Sequence, residues 1–249
     1  MSSDATIMLR RNFKHTVRNP VTVFNAIFMP IIMMLIFVYV FGDAFSVGGD
    51  YIDYATPGML MMTLAYGLSA TAVAVNSDMA KGIINRFKVM DVSRGAVLTG
   101  QVIASLLNNV IAVAAIVGTA FALGFRPSAS LLDWLGVAGM VVLAGFTIGW
   151  FTVALGLSAK SVETAGLATV PLIMLPFLST AIVPADKMGP GARQFAEYQP
   201  FTPIIESLRA LLAGESPGGD LIAGAAWCAL IALVGYVWAK RLYNREPGR

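Results

Sequence analysis

Residues 97–125 read VLTGQVIASLLNNVIAVAAIVGTAFALGF, a run of 29 amino acids without a single Asp, Glu, Lys, Arg or His. An α-helix rises about 1.5 Å per residue, so about 20 residues cross the roughly 30 Å hydrocarbon core of a bilayer. The run is therefore long enough to cross a membrane once, with residues left over for tilt or for extension beyond the bilayer.

Five further stretches of 19 to 25 residues also lack these side chains, and each can cross the bilayer once. They are residues 21–41, 57–77, 134–158, 164–183 and 221–239. Of the 249 residues, 57% are apolar and only 12% are charged, which excludes a water-soluble protein. The first stretch is too long for the apolar core of a signal peptide, so we expect a retained helix. The sequence predicts an all-α integral membrane protein with six transmembrane helices.

The positive charges predict the orientation of these helices. Thirteen of the 17 Lys and Arg residues lie in the N-terminal tail, in the loops after the second and fourth stretches, and in the C-terminal tail. Cytoplasmic loops are enriched in Lys and Arg, so this face and both termini are predicted to be cytoplasmic. Because the cations gather in these loops, their excess does not indicate a nucleic-acid-binding protein.

The spans contain no Asp, Glu, Lys, Arg or His, and this limits the function. Proton relays and most ion-coupled transporters need such groups inside the membrane, and an intramembrane protease needs a His base or paired carboxylates there. A secondary transporter with a neutral site stays open. The single cysteine, Cys228, cannot form an intrachain disulfide, and no cluster has the spacing of a metal site. No catalytic, cofactor or metal site is therefore predicted in this chain.

Four residues inside the spans are candidates for a substrate path. Asn108 and Asn109 lie near the middle of the third span, and Pro171 and Pro176 both lie in the fifth. The amides could face a substrate, although amide side chains also serve ordinary helix packing. Each proline removes a backbone donor and tends to kink its helix, so the fifth span is the candidate for a moving or path-lining element.

Residues 1–20 are predicted to form an amphipathic helix in the cytoplasmic membrane interface. Apolar residues recur at a spacing of four, including Phe13, while Arg11, Lys14 and Arg18 lie on the opposite face. Such a helix places its apolar side in lipid and its cations near anionic headgroups.

The loop at residues 78–94 alternates charged residues with bulky apolar ones, which a fully solvated loop would not need. A short helix here could insert its apolar side into the groove of a partner protein, or it could pack on its own transmembrane helices. The residues predicted to carry the contact are Asp78, Lys81, Gly82, Arg86, Phe87 and Arg94.

Residues 184–219, between the fifth and sixth spans, are predicted to form two short amphipathic helices on the outer face. Apolar residues follow helical spacing around Phe195 and Leu208, and Gly214 is a natural helix stop. Each segment is too short and too charged to cross the bilayer. We therefore predict an extracellular, re-entrant helical hairpin, here called the outer hairpin.

Short motifs occur in a fixed order along these elements. They read RNP at 18–20, DYATPG at 53–58, DMAKGIINR at 78–86, VSR at 92–94, VPADKM at 183–188, QPFTP at 199–203 and ESLRALLAG at 206–214. In this order and topology the chain resembles the permease subunits of ABC-2 type exporters, of the daunorubicin-resistance type that exports drugs and lipids in actinobacteria. The matching features cover nearly the whole chain.

The resemblance implies a multi-pass protein of the bacterial cytoplasmic membrane, with residues 1–249 as one permease domain. It also implies that loop 78–94 is the coupling element for a separate ABC ATPase subunit, which would bind ATP and Mg²⁺. The sequence has no GxxxxGK[ST] motif, so this chain is not expected to hydrolyse ATP itself. Two permeases, identical or paralogous, would join two ATPases, with the first and fifth spans near the permease interface.

The expected function is export driven by the ATPase partner. Because the spans are neutral, an amphipathic or hydrophobic cargo such as a drug, lipid or glycolipid, taken from the cytoplasm or the inner leaflet, is favoured over a small ion. The competing interpretation is a membrane scaffold or facilitator that needs no ATPase.

Overall fold

The structure, a computed structural model, describes residues 20–42, 49–81 and 94–244, and these residues form nine α-helices and no β-strand. The helices are α1 (Pro20–Tyr39), α2 (Tyr51–Ala80), α3 (Arg94–Ala122), α4 (Leu131–Ser158), α5 (Val162–Ala168), α6 (Val170–Met174), α7 (Pro190–Tyr198), α8 (Phe201–Ala213) and α9 (Gly218–Asn244). Two short 3-10 helices cover Leu175–Leu178 and Ala185–Lys187. The predicted all-α class is confirmed.

Four of the described helices are long and apolar enough to cross a bilayer. They are α2, residues Leu98–Ala122 of α3, α4, and residues Gly218–Tyr243 of α9. Two shorter apolar stretches, Phe28–Tyr39 and Val162–Leu178, lie at the positions of the first and fifth predicted spans. These helices support a multi-pass membrane protein, and the layout of six complete spans stays a prediction.

Local side-chain chemistry sets several helix boundaries. α4 begins with a capping box, in which Ser130 Oγ accepts from the Asp133 N–H (3.3 Å) and an Asp133 carboxylate oxygen accepts from the Ser130 N–H (2.8 Å). Ser161 and Thr164 make the equivalent box at the start of α5. α8 ends at Gly214, whose φ of 73° is left-handed, so the helix stop predicted there is confirmed.

α4 lies at the centre of the bundle. It packs between α2 and α9, α3 packs against α2 and α4, and α1 contacts α2 and α3. α8 lies against α2, α4 and α9 at the end where α2 begins, which we call the hairpin end; Tyr51, Phe125 and Leu208 belong to its buried apolar cluster. A second cluster, which includes Val75 and Val102, marks the opposite end.

The fifth apolar stretch is not one continuous helix. α5, α6 and the first 3-10 helix follow one another in its place. Pro171 and Pro176 explain the breaks, because proline has no N–H and its ring clashes with the carbonyl four residues earlier. At the first break the Thr169 hydroxyl donates to the carbonyl of Gly166 at 2.7 Å. The helix is thus interrupted at both prolines, and the moving or path-lining role predicted for this stretch stays a prediction.

The helices differ in how much of their surface the chain covers. Most residues in the membrane-length parts of α2 and α4 are buried, whereas only 28% of those in α3 and 17% of those in α9 are buried. The exposed side chains of α9 include Ile222, Leu230 and Leu233. Exposed apolar surface of this extent marks contact with a membrane or a protein partner, as expected for helices at the rim of a membrane bundle.

Candidate functional site

The fifth apolar stretch leads to the hairpin end of the bundle. Its last part continues into residues 179–184, which are not helical and which we call the unwound segment. Ser179, Thr180, Ala181 and Ile182 are all buried there. Ser179 Oγ accepts a hydrogen bond from the Ala181 N–H at 3.1 Å. Buried carbonyl groups that lie outside a helix need other donors, above all at membrane depth.

Two tyrosines at the start of α2 supply such donors. The Tyr51 hydroxyl donates to the carbonyl of Ile182 at 3.2 Å, and the Tyr54 hydroxyl donates to the carbonyl of Thr180 at 2.8 Å. The two rings stack with their centroids 6.4 Å apart. The first turn of α2 therefore holds two carbonyls of the unwound segment.

Arg209 on α8 completes this contact. Its Nη2 donates to the carbonyl of Thr180 at 2.8 Å, and Nε and Nη2 both donate to the carbonyl of Tyr54, at 3.3 and 3.2 Å. The guanidinium carbon lies 3.8 Å from the centre of the Tyr54 ring, within cation–π range. Glu206 Oε1 lies 2.6 Å from Arg209 Nη1. We call Arg209, Tyr54 and the Thr180 carbonyl the Arg209 clamp; it joins α2, the unwound segment and α8.

Gly58 allows α2 and the unwound segment to approach each other closely. A Cβ at this position would lie 2.5 Å from the carbonyl oxygen of Ala181, closer than real Cβ atoms come. Small residues permit such contact between membrane helices and neighbouring backbone. The DYATPG motif thus contributes both Tyr54 and Gly58 to one contact.

The two asparagines of the predicted path lie on α3. Asn109 is buried, and its Nδ2 donates to the carbonyl of Ser105 at 2.9 Å in the same helix. Its Oδ1 lies beside Gly67 of α2, where a Cβ on Gly67 would collide with it. Within the described residues this oxygen has no hydrogen-bond partner. Asn108 is half-buried. Asn109 therefore packs against α2, and a substrate-path role for the pair stays a prediction.

The two prolines of the predicted path differ in burial. Pro171, in the first turn of α6, is exposed, whereas Pro176, in the 3-10 helix, is buried. The Pro176 carbonyl accepts from the Ser179 hydroxyl at 2.5 Å, which links the 3-10 helix to the unwound segment. Their role in a path also stays a prediction.

At the opposite end, Asn76 ties α2 to the end of α4. Its Nδ2 donates to the carbonyls of Gly156 at 3.1 Å and Ala159 at 2.7 Å. The last carbonyls of a helix have no partner within that helix, so the amide caps α4 from a neighbouring helix. This contact lies just before the predicted coupling loop.

The structure describes only the two ends of that loop. Asp78 is half-buried in the last turn of α2, Lys81 is exposed directly after it, and Arg94 is the first residue of α3. Outside the described residues lie Gly82, Arg86 and Phe87 of the loop, and Arg11, Phe13, Lys14 and Arg18 of the predicted interfacial helix. The roles assigned to both groups stay predictions.

Sequence reasoning did not single out Tyr51, Asn76 or Arg209 as site residues. One signal for Arg209 was available, because it is a cation within an otherwise apolar helical pattern of the outer hairpin. A buried or half-buried guanidinium needs partners for its donors. The sequence did not show that these partners lie 29 and 155 residues away.

Comparison with known proteins agrees with this architecture. The model of the family described as ABC-2 type transporter matches residues 4–213. The daunorubicin resistance ABC transporter permease protein DrrB1 of Streptomyces coeruleorubidus is 28% identical over 239 residues, which cover 94% of this chain and 82% of that protein. The probable doxorubicin resistance ABC transporter permease protein DrrC of Mycobacterium tuberculosis is 26% identical over 220 residues, covering 87% of this chain and 79% of that protein. Since the family match spans most of the sequence, the chain belongs to the ABC-2 type transporter family.

Proposed function

We propose that this chain is the transmembrane subunit of an ATP-driven exporter that moves an amphipathic or hydrophobic compound out of the cytoplasm or the inner leaflet. The observation that carries the proposal is the family match over residues 4–213, together with the absence of charge from the predicted spans. The two relatives described above are named as permease proteins of ABC transporters, so we place ATP hydrolysis on a separate subunit. ATP and Mg²⁺ are accordingly assigned to a partner ATPase.

The proposed topology has six spans, with both termini on the cytoplasmic side of a bacterial cytoplasmic membrane. Residues 1–249 form one permease domain, with an interfacial helix at 1–20 and the outer hairpin at 184–219. The position of α8 supports this topology, because α8 lies at the opposite end of the bundle from the flanks of loop 78–94. The distribution of Lys and Arg supports the same orientation.

A second permease copy or a paralogue is the proposed neighbour of the fifth apolar stretch. Leu167, Val170, Met174 and Leu178 are all exposed and recur every three or four residues along α5, α6 and the 3-10 helix. Exposed apolar side chains, here called the apolar stripe, thus occur in all three of these segments. A stripe without a partner in the described chain suits a permease dimer that joins two ATPases, with the path between the two permeases.

The proposed cargo follows from the polar groups that the path can offer. Inside the predicted spans these are hydroxyls and amides, and many of them bond to backbone carbonyls, such as Thr63 to Met59 at 2.7 Å and Thr147 to Cys228 at 3.0 Å. Such a lining cannot neutralise a charged ion, whereas it can accept an apolar body with a neutral polar group. Asn108, Asn109, Pro171 and Pro176 remain the proposed path residues.

Coupling to the ATPase is assigned to the loop at 78–94. We expect Arg86→Glu and Arg94→Glu to lower substrate-stimulated ATP hydrolysis of the assembled complex several-fold, because each reverses a charge on the proposed rim of the contact. Membrane insertion should be unchanged. Lys187→Glu makes the same charge change in an exposed turn of the outer hairpin and is the matched control.

The experiment is co-purification of the tagged permease with its ATPase from membranes, followed by ATPase assays in lipid nanodiscs with and without candidate amphipathic compounds. A stable complex with stimulated hydrolysis, reduced by the two arginine variants and unaffected by Lys187→Glu, supports the proposal. A permease that purifies as a lone oligomer would favour the scaffold interpretation, and full stimulation in both arginine variants would refute the coupling role.

A further inference from the structure

Two backbone carbonyls of the unwound segment accept hydrogen bonds from side chains of other helices. The carbonyls of Thr180 and Ile182 accept from the hydroxyls of Tyr54 and Tyr51, and Thr180 accepts a second bond from Arg209. The Thr180 hydroxyl itself is buried and, within residues 20–42, 49–81 and 94–244, makes no hydrogen bond. The segment's position therefore depends on donors that other helices bring to it.

Arg209 differs from the two tyrosines because it is the donor that joins three elements. Tyr51 and Tyr54 link α2 to the segment, whereas Arg209 also fastens α8 to both of them. The planar guanidinium presents several donors in a fixed fork, so one side chain can serve two carbonyls and still meet Glu206. Lysine has no such fork and could not hold this arrangement.

The clamp can be released without dismantling the bundle. The Arg209 side chain is 18% exposed, so its donors can reach solvent when they leave the carbonyls. Ile205 and Leu208 of α8 are fully buried in the core, and their packing does not involve the donors of Arg209. Pro171 and Pro176 already interrupt the helix that leads to the segment, so a movement of the segment breaks no continuous helical ladder.

We propose that Arg209 is a positioning residue for transport: it holds the unwound segment closed over the hairpin end of the fifth apolar stretch, and its release opens that end. The proposal rests on the proposed function for its role in the transport cycle. An exporter must close the outer side of its path in one state and open it in another. The clamp lies where such a closure is needed, at the end of a broken helix and against the outer hairpin.

The single cysteine allows a direct accessibility test. Cys228 is buried, and replacing it with alanine keeps the backbone carbonyl that Thr147 uses, so Cys228→Ala provides a cysteine-free background. Thr180→Cys is the reporter, because the lost hydroxyl has no partner in the described chain and the carbonyl that Arg209 uses is retained. Thr63→Cys, equally buried in the middle of α2, is the matched reporter away from the clamp.

Maleimide labelling is measured on the complex with its ATPase in lipid nanodiscs, where reagent reaches both faces. Without nucleotide, the Thr180→Cys reporter should react slowly, and adding Arg209→Gln should speed it on the order of ten-fold or more, because labelling of a buried thiol follows the population of the open state. Arg209→Lys should give an intermediate rate. Glu206→Gln leaves the Arg209 donors on both carbonyls and should change the rate less than two-fold, roughly the scale of a surface ion pair.

A role in transport requires a second measurement, one that a general loss of protein stability would not affect. This measurement is the labelling rate during ATP turnover. With Arg209 intact, ATP turnover should raise labelling at Thr180→Cys several-fold and leave Thr63→Cys unlabelled. If the Thr180→Cys reporter is labelled at the same rate with Arg209 and with Arg209→Gln, the proposal is overturned. It is also overturned if Arg209→Gln raises the labelling rate equally at Thr180→Cys and Thr63→Cys. Labelling that does not respond to ATP overturns the release step.

Failure of the proposed function can be told apart from failure of this inference. If no ATPase associates with the chain, the exporter assignment fails. The comparison of Arg209 with Arg209→Gln at the two reporters needs only the permease in nanodiscs, and it still decides whether the clamp closes the segment.

Discussion

Removing the Asn76 amide tests whether the end of α4 depends on a cap from α2. The proposed change is Asn76→Leu, which keeps the approximate shape of the side chain and removes both donors. Nδ2 bonds the carbonyls of Gly156 and Ala159, at 3.1 and 2.7 Å, and Asn76 is 5% exposed. The substitution therefore leaves two carbonyls at a helix end without this donor.

The expected loss follows from those two bonds. A net hydrogen bond contributes about 0.5–1.5 kcal/mol, and polar contacts between membrane helices average about 0.6 kcal/mol. Two bonds give about 1–3 kcal/mol, and burial of the vacated carbonyls favours the upper half of that range. We expect Asn76→Leu to lower the free energy of unfolding by about 2 kcal/mol, a fall in Tm of about 4–8 °C for a chain of this size.

The assay is thermal unfolding of the detergent-purified protein, followed by tryptophan fluorescence at one fixed scan rate. Thr63→Val is the matched control: Thr63 is also buried in α2, but its hydroxyl bonds to the Met59 carbonyl of its own helix rather than to a neighbouring helix end. The control should shift Tm less than Asn76→Leu does. A Tm for Asn76→Leu within about 1 °C of the unmodified protein, or equal to that of Thr63→Val, would refute the capping role.

Two further predictions concern packing and helix initiation. Gly67→Ala should destabilise the protein by about 1–3 kcal/mol, because the new Cβ would collide with Oδ1 of Asn109; adding Asn109→Ala should recover most of the loss, and a double-mutant cycle without coupling would contradict the contact. Ser130→Ala should cost about 1 kcal/mol by removing the cap of α4, whereas Ser130→Thr should keep most of it; equal thermal midpoints for the two variants would argue against the cap.

The positions of the membrane helices could be predicted because the physics behind them is local. A run without charge must either be buried or lie in lipid, and its length sets what it can cross. Proline chemistry at Pro171 and Pro176 and the left-handed turn at Gly214 are also properties of single residues. For this reason the all-helical class, the interruption of the fifth stretch and the end of α8 all followed from the sequence.

The clamp and the cap could not be predicted in the same way. Arg209 and Asn76 donate hydrogen bonds to backbone carbonyls of distant segments. Because every residue has a backbone carbonyl, the sequence does not indicate which one is the acceptor. Asn109 shows the converse case. Two adjacent amides in a neutral span suggest a substrate path, which stays a prediction, and the structure also packs Asn109 against Gly67, a contact that depends on the register between two helices.

The placement of donors around the unwound segment has a consequence for the order in which the chain is assembled. Tyr51 and Tyr54 are synthesised before the carbonyls they serve, but Arg209 follows Thr180 by 29 residues. A ribosome that has just completed the fifth stretch has therefore produced acceptors whose last donor does not yet exist. Truncation before residue 209 would leave the Thr180 carbonyl with Tyr54 but without Arg209 as a donor. Loss of a C-terminal portion of the chain would therefore remove a hydrogen bond from a segment that was synthesised 29 residues earlier.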